Sequence, residues 1–193
     1  MWSPDAEVPL NGHRILFSTG HGDPYTINAE DGSDRTRITF RQKADFQPDW
    51  SVNTGRFPRG RIVFVSMRTG NGDLYVMQPN GTGLKRLTFS PALDSSPSWD
   101  PDGKTIAFVS NRDGDNEIFV IDADGTGLKE LTDNAVNDEG PAWSPAGDRI
   151  GFMSNRDQPS FEIYTMRDDG ADVRRITHDD FVDGFPAWQP IAG

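Results

Sequence analysis

The chain has 193 residues, 34% of them apolar, with 20 Gly, 14 Pro, 12 Phe, 5 Trp and a formal charge of −11. That acidity argues against a non-specific grip on nucleic acid, which needs cations to displace counterions. No apolar run approaches the ~18 residues of a membrane span, and the absence of cysteine removes disulfides, thiol catalysis and cysteine-zinc sites.

The opening Met1-Trp2-Ser3-Pro4-Asp5 has no basic n-region and no apolar core, so no signal peptide is read there. Short strand-like runs then follow in a fixed order. The first repeat offers Ile15 to Phe17, Tyr25 to Ile27 and Arg37 to Thr39, and Phe46 to Trp50 opens the next set. The second offers Ile62 to Val65, Leu74 to Met77 and Leu84 to Thr88, then Ser95 to Trp99. The third has Ile106 to Val109, Ile118 to Ile121 and Leu128 to Thr132, then Gly140 to Trp143. The fourth has Ile150 to Met153, Ile163 to Met166 and Val173 to Thr177, then Phe185 to Trp188. Apolar, β-branched and aromatic residues bounded by turn residues predict strands. Asp31-Gly32, Asn80-Gly81, Asp124-Gly125 and Asp169-Gly170 sit where tight hairpins need positive φ.

The period is kept by three residue types. Trp50, Trp99, Trp143 and Trp188 recur at 49, 44 and 45 residues, and Thr39, Thr88, Thr132 and Thr177 keep the same intervals. Phe17, Phe64, Phe108 and Phe152 recur at 47, 44 and 44. Four short antiparallel strands per repeat is the arithmetic of a propeller blade. The tryptophans, each beside a proline or small residue, read as inter-blade core.

The segment Pro97-Ser98-Trp99-Asp100-Pro101-Asp102-Gly103-Lys104-Thr105-Ile106-Ala107-Phe108 and its continuation to Thr132 resemble the PD40 repeat of TolB-like propellers. The resemblance is strongest in repeats two to four. In the first, Pro24 interrupts a strand, and Gly20-His21 stand where later repeats have Asn-Arg. The expected fold is all-β: a β-propeller of four four-stranded blades in a single domain, 1–193, with repeats at about 2–50, 51–99, 100–143 and 144–188. Closure is expected by pairing of the N- and C-terminal ends, since the last strand is left over and the first blade lacks its innermost one. TolB-like propellers usually have six blades, so a fragment of a longer propeller and a ring shared by two chains stay open.

Asp45, Asp94, Asp138 and Asp183 stand five residues before each tryptophan. If the strand they begin is innermost, as the resemblance implies, they form a ligand-binding channel mouth, and oxygen ligands there would suit Ca²⁺. The competing reading is that each accepts hydrogen bonds inside its own blade. Arg68, Arg112 and Arg156, two residues beyond a serine, are candidate partners for such carboxylates. A second candidate is the irregular loop carrying Arg56, Phe57 and Arg59. His13, His21 and His178 share no metal-binding spacing, and no nucleophile elbow, phosphate-binding loop or dinucleotide fingerprint occurs.

These features favour a non-catalytic binding or scaffold module with a protein or peptide partner, as monomer or homodimer, with no required cofactor beyond a possible Ca²⁺. The resemblance implies a periplasmic or secreted setting. The alternatives are a carbohydrate-active enzyme, a polysaccharide lyase or glycosidase drawing on the mouth aspartates and His178, or a propeller piece of a larger protein.

Overall fold

The computed structural model describes residues 13–20, 22–40, 43–52, 59–157, 160–179 and 181–189. These form fifteen strands in four antiparallel sheets with no helix among the described residues. The first sheet has β1 (Arg14–Ser18), β2 (Pro24–Asn28) and β3 (Thr36–Arg37). The second has β4 (Asp45–Trp50), β5 (Ile62–Ser66), β6 (Asp73–Met77) and β7 (Lys85–Arg86). The third has β8 (Asp94–Trp99), β9 (Thr105–Ser110), β10 (Glu117–Asp122) and β11 (Lys129–Glu130). The fourth has β12 (Asp138–Trp143), β13 (Arg149–Ser154), β14 (Glu162–Arg167) and β15 (Arg174–Arg175). Each is a meander in sequence order, and each full blade takes its first strand from the end of one sequence repeat and its other three from the next.

The first strand of each full blade is the one that packs on its neighbours. β4 touches β1, β8 touches β4, β5 and β6, and β12 touches β8, β9 and β10, whereas β7, β11 and β15 meet only their own third strands. Strands β4, β8 and β12 therefore lie at the inner end of their blades and the short fourth strands at the rim. The blade faces are apolar because both are covered. Phe64, Phe108 and Phe152 have no exposed surface, and each meets the ring opposite it on the third strand at 5.8–6.0 Å. Between blades two and three, Val63, Val65, Leu74 and Val76 pack with Trp99, Ile106, Phe108 and Phe119. Each such fully buried side chain contributes about 1.5–3 kcal/mol.

A proline punctuates every inner strand. Pro48, Pro97 and Pro141 fall where the register of β4, β8 and β12 slips against the second strand. Proline cannot donate to a ladder, so a bulge is where it fits. The residue before it carries the turn: Gln47, Ser96 and Gly140 have φ of 48°, 50° and 61°.

The segment 183–188 repeats this pattern without joining a sheet. Phe185 has φ 55°, the Asp183 amide donates to Phe161 O at 2.8 Å, and Trp188 Nε1 donates to Ala142 O at 2.9 Å. It therefore lies against blade four as an inner strand lies against the preceding blade. Among the described residues it makes no backbone hydrogen bond to β1.

Candidate functional site

The inner-strand aspartates of blades two to four point into their own blades. Asp45, Asp94 and Asp138 have no exposed surface. Each is held by the arginine of its own blade: Arg68 at 3.1 Å, Arg112 at 3.1 Å and Arg156 at 2.6 Å. The Nε of each arginine donates to the serine two residues before it, at 2.7, 2.9 and 2.9 Å. Its guanidinium lies over the third-strand ring, 4.2 Å from Tyr75, 4.4 Å from Phe119 and 5.0 Å from Tyr164. This is the own-blade arrangement, the competing reading of these aspartates. The charges are taken up by fixed guanidinium groups, and among the described residues no three acidic or histidine side chains converge to hold a metal ion. Asp183, half-buried, is the exception: among the described residues its segment pairs with no second strand.

A second row of residues lies two positions further on. The Gln47 side chain accepts from the Ser96 amide at 3.0 Å and approaches its hydroxyl at 3.4 Å. A Cβ on Gly140 would lie 3.9 Å from the Phe185 ring. Gln47, Ser96, Gly140 and Phe185 are thus consecutive members of one row. Around them Asp, Pro and Trp are kept in each repeat, while the row itself changes in size and polarity. Sequence reasoning missed it because the bulge that aims these residues leaves no signature except the proline after them.

Blade three breaks the charge pattern. Asp23, Asp73 and Glu162, at the start of the third strand, meet Arg37, Arg86 and Arg175 at 2.8, 2.9 and 2.7 Å. The equivalent carboxylate Glu117 has no such partner, because Glu130 occupies the arginine position. Asn134 serves both Glu117 and Asp138, its amide nitrogens reaching Glu117 at 2.6 and 3.3 Å and Asp138 at 2.8 Å. Burial, reinforced by Asp138, pushes Glu117 up to about 7. Its hydrogen bond with Asp113, then burial, pushes Glu130 up to about 7 as well.

On the opposite, hairpin face, a cleft of about 750 Å³ opens between blades two and three. Arg61, Lys85 and Lys104 line it with Asp102, Asp122 and Asp124. Arg61 binds Gly103 O at 2.9 Å and Ala123 O at 3.2 Å and lies over Trp99, so it ties the two blades together. Asp100, beside the cleft, is raised to about 6 by burial and by Asp102.

Of the loop candidates, Arg59 is exposed and its carbonyl accepts Trp50 Nε1 at 2.9 Å. Arg56, Phe57 and His21 lie outside the described residues. His178 is exposed, its Nδ1 3.1 Å from Ile176 O. The side chains that sequence reasoning passed over are apolar. Phe89, Leu93, Phe181 and Val182 are exposed on the blade-to-blade loops of the ion-pair face.

Comparison with known proteins agrees with this geometry. The PD40 family, described as TolB beta propeller domain, matches residues 56–135 and 91–192. The Tol-Pal system protein TolB of Geobacter sulfurreducens is 38% identical over 74 residues, 38% of this chain and 17% of that protein. The TolB homolog of Chlorobium luteolum is 31% identical over 98 residues, 50% of this chain and 21% of its own length. The structure of putative TolB from Agrobacterium tumefaciens superposes with TM-score 0.78 and 26% identity, over 98% of this chain and 64% of that one. The match thus spans about a fifth of the curated relatives and under two thirds of the solved chain.

Proposed function

The chain belongs to the PD40 family of TolB β-propeller domains, and from that premise we propose that it is a non-catalytic binding module for a protein or peptide, taken up on the ion-pair face. The periplasm or the cell exterior is the setting that the TolB relatives favour. The observation that carries the reading is the exposure of large apolar side chains there: Phe89 is 72% exposed, Phe181 76% and Val182 70%. Soluble surfaces scatter apolar residues singly, whereas a concentration on one face marks an interaction site. On the hairpin face, Leu84, Leu128 and Val173 are less exposed and recur once per blade, as a structural position would. The ion-pair-face residues vary between blades, with Asp133 replacing the phenylalanine in blade three.

The buried ion pairs give this face its rigidity. Each anchors the start of an inner strand to the end of the second, so the loops between blades leave from fixed points. A peptide meeting such a face loses less binding energy to ordering the protein.

A displayed random peptide library selected on the immobilised chain tests the reading. Enriched peptides should bind the Phe89→Ser/Phe181→Ser variant at least tenfold more weakly by calorimetry, with its far-UV circular dichroism unchanged. Equal affinity for the two proteins, or no enrichment, overturns the assignment of this face.

A further inference from the structure

We propose that blade three carries a site for an arginine side chain of the bound peptide, whose guanidinium enters the acidic notch between Glu117 and Glu130 that the other blades fill with an arginine of their own. The site is drawn from the geometry of blade three; that its occupant belongs to a peptide rests on the reading above.

The frame of the notch is the same in blades two, three and four. The fourth strand faces the third-strand ring in one register: Arg86 opposite Tyr75, Glu130 opposite Phe119 and Arg175 opposite Tyr164. The threonine two residues on is pinned by its hydroxyl, which accepts Leu74 N, Ile118 N and Ile163 N at 3.0, 2.8 and 2.9 Å. In blades two and four a guanidinium spans the two walls. Arg86 gives Nη2 to Asp73 at 2.9 Å and Nε to Thr88 O at 2.7 Å. Arg175 gives Nη2 to Glu162 at 2.7 Å and Nε to Thr177 O at 2.8 Å. In blade three the walls are Thr132 and Glu117, which starts the third strand as Asp73 and Glu162 do. The side chain between them is Glu130, which is exposed and meets Asp113.

Blade three thus keeps the acceptors and has exchanged the donor for a further acceptor. Glu117 has no exposed surface, and among the described residues its partners are neutral, the Asn134 amide at 2.6 Å and the Asn134 side-chain nitrogen at 3.3 Å. That nitrogen also reaches Asp138 at 2.8 Å, which brings a second buried carboxylate to the notch. Asp138 Oδ1 has no hydrogen-bond partner among the described residues. The cations beside it are committed: Arg112 to Asp94 at 3.1 Å and to the Phe119 ring, Arg156 to Asp138 at 2.6 Å. At the mouth, Glu130, Asp113 and Asp133 are exposed. Asp133 stands where Phe40 and Phe89 lie over the arginines of blades one and two at 5.4 and 4.6 Å, so this notch lacks their aromatic cover.

Carboxylates held together raise each other's affinity for a proton, and an entering cation relieves them. Glu117 and Glu130, both raised to about 7, carry that signature. Acceptors on two walls suit the planar fork of arginine better than the point charge of lysine. In blade order the acidic loop lies between the loop bearing Phe89 and Leu93 and the loop bearing Phe181 and Val182. The peptide matched to this face therefore carries an arginine flanked by apolar residues.

The probe is Nα-acetyl-arginine amide, titrated into the isotopically labelled chain and followed by NMR, with the neutral Nα-acetyl-citrulline amide as control. The arginine compound should shift the Thr132 and Asn134 amides saturably, and the citrulline compound should not. Glu130→Arg fills the notch from within and should weaken binding at least about tenfold. Asp31→Arg, the same change of charge on an exposed hairpin of blade one, should leave it within about twofold. Since the guanidinium favours ionised Glu117 and Glu130, affinity should rise about tenfold from pH 6 to pH 8. Binding that citrulline reproduces, that survives Glu130→Arg, or that shifts only other residues overturns the proposal. Library peptides that enrich and need Phe89 and Phe181, but lack arginine and bind the Glu130→Arg variant unchanged, leave the peptide reading standing and remove this one. Arginine amide bound at the notch while no peptide enriches keeps the site and overturns the peptide as its source.

Discussion

Asp94 has no exposed atom, so its charge is tolerable only while Arg112 stays at 3.1 Å. Removing the cation alone leaves a buried, uncompensated carboxylate, which costs about 3–5 kcal/mol. Arg112→Leu should therefore lower the urea-unfolding free energy by that amount. Arg112→Leu combined with Asp94→Leu should recover most of it, because a well-packed apolar pair is often no worse than an ion pair. A small loss in the single variant would show that the pair is ornamental. At the third-strand position, Glu130→Arg would supply the guanidinium that Arg86 and Arg175 supply in blades two and four. The expected gain is about 1.5–3 kcal/mol at pH 8, the worth of a hydrogen bond to a charged group.

Glu117 also fixes a pH dependence. An acid raised to about 7 in the fold, from 4.5 when unfolded, keeps its proton only in the folded chain over that interval. Stability is then fully present below about 4.5 and is lost as pH rises through 7. Glu130 and Asp100, at about 7 and about 6, act in the same direction. The melting temperature should be a few degrees higher at pH 5.5 than at pH 8, since one kcal/mol is worth about 2–4 °C at this size. Glu117→Gln should flatten that slope and raise the value at pH 8. A melting temperature that rises with pH would refute the assignment.

At the scale of the element, the inner strand's bulge is the feature with a measurable cost. Gly140 sits at φ 61°, with the nearest atom to a would-be Cβ at 3.8 Å, so conformation and not crowding opposes substitution. Gly140→Val should cost about 1–2 kcal/mol, because a β-branched residue is strained at positive φ. Gly140→Ser should cost less, as Ser96 holds the same conformation at φ 50°. Equal losses for the two would point to packing instead. The strands themselves were legible from the apolar runs, and β4, β8 and β12 differ from them mainly by starting at the aspartate. The fourth strands are shorter than their runs. Leu84 and Thr88 flank β7, which keeps only Lys85–Arg86, because the rim offers no further strand to prolong the ladder. For Asp45, Asp94 and Asp138 the sequence left two destinations open, a channel mouth and an arginine of the same blade. Their partners lie 23, 18 and 18 residues away, and a period shows which residues recur without showing which way they turn. Phe181 and Val182 escaped notice because exposure depends on the absence of a neighbour, which one sequence does not state.

For the whole molecule, stability should follow blade neighbours, as in other repeat architectures. Blade three has four strands and a blade on each side, and Ile106, Ala107, Phe108 and Ile118 are fully buried. Blade one has three strands among the described residues, neighbours blade two alone, and leaves Ile15 half-exposed. Local opening is easiest where few apolar contacts are lost. Amides of β1 and β2 should then exchange with deuterium at least about tenfold faster than those of β9 and β10. Uniform protection across the four blades would mean that they open as one unit.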